Sequence, residues 1–134
     1  MKIYVASSWR NEIQPYVVEF LRGHGHKVSQ AALERDEKGK STIAQMARAH
    51  AHPIAEQGFK YDFDAMKESD ACVLVLPSGN SAHLEAGWMC GQGKLVLVYA
   101  DGLRKCEPEL MYKFLGGMFD SLEAVAERLA FGVK

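Results

Sequence analysis

Residues 71–76 read Ala71-Cys72-Val73-Leu74-Val75-Leu76, and they run directly into Pro77-Ser78-Gly79-Asn80-Ser81-Ala82-His83-Leu84-Glu85-Ala86-Gly87-Trp88. Six apolar residues without polar alternation are the pattern of a parallel strand covered on both faces. Pro77 stops that strand, Gly79 permits a sharp turn, and Asn80 or Ser81 is placed to cap the helix that follows. Glu85 then lies about one turn inside that helix, at the rim of the sheet. Open α/β sheets bind ligands outside the carboxyl ends of such strands, so an acidic residue there is a candidate for chemistry.

The flanking segments repeat the strand-then-helix order. Lys2 to Ala6 reads as a strand, and Asn11 to Arg22 as a helix with Ile13, Tyr16, Val17, Phe20 and Leu21 on one face, closed by Gly23 and Gly25. His26 to Ser29 starts a second short strand. Gln30 to Lys40 is a hydrophilic loop carrying Glu34-Arg35-Asp36-Glu37-Lys38-Gly39-Lys40. Ser41 caps an expected helix from Thr42 to Glu56, kinked or divided by Pro53, and Asp62 to Ser69 forms another helix leading into the strand at 71–76. A helix over Ser81 to Cys90 ends at Gly91 and Gly93, Leu95 to Tyr99 is the next buried strand, and Pro108 to Phe114 is a short helix. Met118-Phe119 reads as a brief edge strand. Ser121, Leu122, Val125, Ala126 and Leu129 make an amphipathic last helix with Glu123 in its first turn.

Strands alternating with helices imply right-handed crossovers and a parallel sheet. The expectation is a single domain over residues 1–134, a three-layer α/β/α arrangement with four or five strands. The first and third strands are expected to be central neighbours, which brings the Ser7-Ser8-Trp9 loop beside the 77–85 loop at a topological switch point.

Composition narrows the class of partner. The chain has 134 residues, 48% apolar and 25% charged, with sixteen basic and seventeen acidic side chains, so it carries no field for steering nucleic acid. Cys72, Cys90 and Cys106 are odd in number and form no C-x-x-C pair, which points away from a disulfide framework or thiolate zinc site and towards a reducing cytoplasm. The chain opens on a strand and lacks about 18 uninterrupted apolar residues, so neither secretion nor membrane spanning is expected.

Three elements are expected to converge on the crevice: Tyr4 to Trp9, Asp62 with Asp64, and Ser78 to Glu85. Two carboxylates at one cleft are the equipment of glycosyl chemistry, in which one attacks the anomeric carbon and another group protonates the leaving group. Glu85 is the better nucleophile, because the positive end of a helix dipole favours its ionised form. The plainer alternative is that Glu85 only satisfies N–H groups at its own helix start, and that Asp64 is only a cap or a dipole partner, with Asp62 the more natural cap. Ser7, Ser8, Ser78, Gly79 and Ser81 offer hydroxyls and N–H groups to a phosphate, though such residues are also ordinary turn formers. No G-x-x-x-x-G-K-[ST] or G-x-G-x-x-G is present. Trp9 and Trp88 are available to stack on a planar base or to pack on the sheet. His83 falls on a different helix face from Glu85, and neither His24 with His26 nor His50 with His52 has the spacing of facing metal ligands, so no metal is expected. Cys72 reads as a small core residue.

Ile3-Tyr4-Val5-Ala6-Ser7-Ser8-Trp9, then Asp64-Ala65-Met66-Lys67-Glu68-Ser69-Asp70-Ala71, then Ser81-Ala82-His83-Leu84-Glu85-Ala86-Gly87 together resemble the nucleoside 2-deoxyribosyltransferase family. That family includes the 2'-deoxynucleoside 5'-phosphate N-hydrolases. The resemblance spans residues 2–28 and about 59–112, and its most specific part is the E-x-G at Glu85-Ala86-Gly87. It implies a flavodoxin-like (Rossmann-like) sheet, a homo-oligomer such as a dimer, and no metal or cofactor. It implies Glu85 as the nucleophile on the sugar C1', Asp64 as the group that handles the base proton, and Tyr4 as the orienter of Glu85. Ser7, Ser8, Trp9, Ser78, Gly79, Asn80, Ser81 and Gly87 are the expected substrate-binding positions. Residues 29–58 follow no pattern of the family, and Ser78 and Ser81 are both offset from the serine with which its monophosphate hydrolases hold the phosphate.

The expected activity is cleavage of the N-glycosidic bond of a nucleoside or nucleoside 5'-monophosphate through a glutamate glycosyl-enzyme intermediate, by hydrolysis or base transfer. The alternative is a non-catalytic nucleotide-binding or sensing module that uses the same crevice.

Overall fold

The computed structural model describes residues 1–8, 11–30, 53–102 and 108–132. Trp9, Cys106, His50, His52 and most of the expected loop and helix over 31–52 lie outside the described residues.

Strand β1 (Lys2–Ala6) is followed by α1 (Gln14–Gly23), β2 (Lys27–Gln30), α2 (Pro53–Glu68) and β3 (Ala71–Leu76). Then come α3 (Asn80–Gly91), β4 (Leu95–Ala100), a 3-10 turn (Leu110–Phe114), β5 (Met118–Phe119) and α4 (Leu122–Ala130). All strand pairs are parallel, and the sheet order is β2-β1-β3-β4-β5. This is the flavodoxin-like order, with its switch point between β1 and β3. Both of those strands are deeply buried, and every residue of β3 and β4 is buried, as continuous apolar runs require.

The two faces of the sheet carry separate cores. On one face Ile3, Val5, Val73, Val75 and Leu97 pack with Val17, Val18 and Leu21 of α1 and with Leu122, Val125 and Leu129 of α4. On the other, Tyr4, Cys72, Leu74, Leu76 and Val98 pack with Met66 of α2 and with Ala82, Ala86 and Met89 of α3. Burying each large aliphatic side chain contributes roughly 1.5–3 kcal/mol, so the central strands anchor the domain. Among the described residues no helix is long and apolar enough to cross a membrane.

Several boundaries differ from the sequence reading, each for a local reason. Helix α1 begins at Gln14 rather than Asn11, because the Asn11 side chain is engaged elsewhere: its Oδ1 accepts from Ile13 N at 2.9 Å in an Asx turn. Pro15 suits the first turn, where no N–H partner is lost. On this helix Tyr16 is exposed and Val18 takes the inward place. Over the described residues helix α2 runs unbroken from Pro53 to Glu68. The expected helix from Thr42 lies largely outside the described residues, but the break expected between Glu56 and Asp62 is absent, and Asp62 and Asp64 lie well inside the helix rather than at its cap. Helix α3 is capped by the extended Gly79, without a side-chain cap from Asn80 or Ser81. The Pro108–Phe114 segment forms only the short 3-10 turn. Within it Leu110, Met111 and Phe114 are exposed, whereas Met118 and Phe119 are partly buried against the cores.

The end of α2 is held by a single lysine. Lys94, just before β4, donates from Nζ to the carbonyls of Met66 (2.8 Å), Lys67 (2.8 Å) and Ser69 (2.6 Å). A cation on the last carbonyls of a helix satisfies acceptors that have no intrahelical donor and complements the negative end of the dipole.

Candidate functional site

The parallel register of β1 and β3, with Ala6 opposite Leu74, brings the loops that follow them side by side. Two small hydrogen-bond systems join these loops. Ser78 Oγ donates to Val75 O at 2.5 Å and accepts from Ser8 N at 3.2 Å. Asn11 Nδ2 donates to Pro77 O at 3.1 Å and to Val75 O at 3.3 Å. Ser78, expected on substrate, thus spends its hydroxyl on tying the loops together, and Asn11, which no motif flagged, is its companion.

Beside this seam lies a cleft of about 430 Å³, within the size range of small-molecule sites. Ser7 and Ser8 line it from the end of β1 and Gln14 from the start of α1. Gly79, Asn80 and Ser81 line it from the start of α3, with Leu84 and Glu85 one turn on. Helix α2 supplies Phe59, Asp62, Phe63 and Met66, which are the i, i+3, i+4, i+7 stripe of one helix face.

Tyr4 and Glu85 are brought together. The Tyr4 phenol donates to Glu85 Oε2 at 2.8 Å, from a side chain fully buried in the sheet to a half-buried carboxylate. Burial, then the charges of Glu85 and Asp62, push the Tyr4 phenol far above its usual range, so it remains a donor at every physiological pH. Because α3 begins at Asn80, Glu85 stands in the second turn, and the first turn carries no acidic residue. The dipole effect falls off within the first turn, so the expected ionising influence on Glu85 gives way to a direct hydrogen bond. Cys72, buried beneath, is also pushed up by burial and by Glu85, and it stays a neutral core thiol.

Asp64 is not in the cleft. Its carboxylate bonds Lys60 Nζ at 2.6 Å and lies 3.4 Å from Lys67 Nζ, and the Lys60 bond foremost holds it below the usual carboxylate range. Helical phase explains this: two residues turn the side chain by about 200°, so when Asp62 faces the cleft Asp64 faces solvent. Asp62 is the α2 carboxylate that lines the site and bears electrostatically on Tyr4. The same phase argument applies to Gly87, two residues past Glu85, which is exposed and does not line the cleft.

His83 serves the frame of the site. Its Nδ1 lies 2.9 Å from Gly79 O and its Nε2 2.7 Å from the Tyr112 hydroxyl, tying the start of α3 to the 3-10 turn. A carbonyl only accepts, so Nδ1 carries a proton and donates to Gly79, while Nε2 and the Tyr112 hydroxyl share the second hydrogen bond.

Comparison with known proteins places the architecture. Neither a family model nor a curated protein matches the sequence. Solved structures do. A 2-deoxyribosyltransferase from the psychrotolerant bacterium Bacillus psychrosaccharolyticus superposes with a TM-score of 0.64 at 24% identity, over 94% of this chain and 90% of that one. The CMP N-glycosidase of Clostridium botulinum gives 0.60 at 16% identity, over 97% and 99% of the two chains. A conserved protein of Enterococcus faecalis V583 gives 0.63 at 16% identity, over 98% of each chain. This chain shares their fold. What its cleft does is argued from its own residues.

Proposed function

We propose that the protein cleaves the N-glycosidic bond of a nucleoside or nucleoside 5'-monophosphate. The observation that carries the reading is the buried Tyr4 phenol holding Glu85 Oε2 at 2.8 Å in a cleft that also contains Asp62. A carboxylate held in one orientation suits attack on an anomeric carbon, and a second carboxyl nearby suits proton transfer to the departing base.

In this mechanism a Glu85 oxygen forms a bond to the sugar C1' as the C1'–N bond breaks. The bonding pair leaves with the base, which takes its proton from Asp62. Water then attacks C1', expelling Glu85 and returning a proton to Asp62, or a second base does so and completes a transfer. Asp62 replaces Asp64 in the proton-handling role because only Asp62 lines the cleft. Ser7, Ser8 and Ser81, with the N–H groups at the start of α3, hold the sugar and any 5'-phosphate. Two bearers of the same fold, a 2-deoxyribosyltransferase and a CMP N-glycosidase, support this reading by their names. With it go a cytoplasmic setting and a homodimer, the latter supported by the exposed apolar side chains of Leu110, Met111 and Phe114.

The test is chromatographic detection of free base from a panel of nucleosides and 5'-monophosphates, with and without an acceptor base, beside Glu85→Ala. Base release that disappears in a folded Glu85→Ala protein is the expected result, and dependence on acceptor separates transfer from hydrolysis. A ligand that binds and is recovered intact would instead identify a binding or sensing module.

A further inference from the structure

We propose that Phe59 is the platform on which the planar base of the substrate stacks, with Asp62 beside it at the edge of the same base. The inference rests on the glycosidic reading for the identity of the ligand, and on the cleft itself for its place.

Phe59 offers an aromatic face to the cleft. It is 66% exposed and lines a cleft together with the exposed Leu84, and apolar surface gathered in a groove, unlike apolar side chains scattered singly, marks a ligand site. The ring is nevertheless held in place. Phe63, one turn later, stacks on it with centroids 5.4 Å apart and planes 20° from parallel. Phe63 is in turn fixed edge-on against Trp88 of α3 at 4.9 Å. One face of Phe59 is therefore backed by a braced ring, and its exposure belongs to the remainder.

A planar heterocycle is the ligand group that such a surface fits, because offset stacking matches one π-face to another and needs no hydrogen-bond pattern. Across the cleft, Ser7, Ser8 and the start of α3 present hydroxyls and backbone N–H groups, which suit a sugar. Helical spacing adds the second half of the argument. Asp62 follows Phe59 by three residues, so the two are neighbours on one face of α2, about 5–6 Å apart at Cβ. A base resting on Phe59 thus presents an edge to Asp62. One helix face then both receives the leaving group and supplies its proton.

The experiment compares the full-length wild type with Phe59→Ala, Phe59→Leu and Phe59→Tyr, together with Phe59→Trp. In base-release kinetics, Phe59→Ala and Phe59→Leu are expected to raise KM about tenfold with kcat little changed, and Phe59→Tyr to stay near wild type. Packing alone predicts the opposite for leucine, which restores apolar volume without a π-face. In a second, turnover-free measurement, adenine, guanine, cytosine and uracil are titrated into Phe59→Trp and its emission is read against the wild-type background of Trp9 and Trp88. Quenching by any of these bases supports the platform even if wild type releases no base, in which case the glycosidic reading alone falls. A KM unchanged in Phe59→Ala, a KM restored by leucine, or emission that no base alters overturns the platform.

Discussion

Tyr4 on β1 and Glu85 on α3, 81 residues apart in sequence, are joined by a 2.8 Å hydrogen bond that runs from the buried sheet to the cleft. Phenylalanine fills nearly the volume of Tyr4 but cannot donate. Hydrogen bonds to charged groups contribute about 1.5–3 kcal/mol, so Tyr4→Phe should lower kcat for base release roughly 10- to 100-fold. Its melting temperature should fall by several degrees, leaving the protein folded at the assay temperature. Steady-state kinetics beside thermal denaturation checks this, and a wild-type kcat in Tyr4→Phe would remove the phenol from the mechanism.

The two aspartates of α2 are predicted to separate cleanly. General acid–base groups contribute about 10²- to 10⁴-fold, so Asp62→Asn should lower base release by about two orders of magnitude or more. Asp64→Asn should stay within about twofold of wild type, since it loses only exposed ion pairs to Lys60 and Lys67. Parallel rate measurements on both variants decide the matter, and the reverse ranking would return the proton to Asp64.

Alkaline stability should report on Tyr4. Its phenol titrates far above the ordinary value of 10 in the folded protein, through burial first and then Glu85 and Asp62. The folded-state value is the raised one, so the stabilisation is complete below about pH 10 and declines above it as unfolded tyrosine loses its proton, by about 1.4 kcal/mol per pH unit and proton. Tyr99, raised by burial and then by Asp101, adds a loss of the same sign. Urea midpoints measured from about pH 9 to pH 11 should therefore fall less steeply in Tyr4→Phe than in wild type. Parallel curves would contradict the burial argument.

Removing the cation that closes α2 is expected to loosen the helix that carries Asp62. Lys94→Met leaves the carbonyls of Met66, Lys67 and Ser69 without their common donor, at a cost of about 1–3 kcal/mol. In a chain of this size that is a fall in melting temperature of several degrees. Faster amide exchange along the last turn of α2 should accompany it. An unchanged melting temperature and unchanged exchange would show that water replaces the ammonium without loss.

Much of the frame was legible because strands buried on both faces leave uninterrupted apolar runs. Ala71–Leu76 and Leu95–Ala100 announce themselves in this way, and β1 and β3 pair as the expected central neighbours. The partnership of Tyr4 with Glu85 is one that the family resemblance implies. The continuity of α2 between Glu56 and Asp62 is harder to read, because Gly58 weakens the helical signal there. The choice between Asp62 and Asp64 is one of helix phase. A signal was available in Phe59, Phe63 and Met66, whose stripe passes through position 62 and misses 64. Asn11 gave no such sign, since its partners at Val75 and Pro77 lie 64 and 66 residues away and exist only once the sheet has formed.

The bonds that Ser78 and Asn11 make across the β1 and β3 loops turn one flank of the cleft into a fixed jaw. Its polar groups are already oriented before any ligand arrives, so compounds that match their spacing lose little affinity to loop ordering. For inhibitor discovery this favours stiff, sugar-like scaffolds built to that jaw, with variation reserved for the group that faces α2.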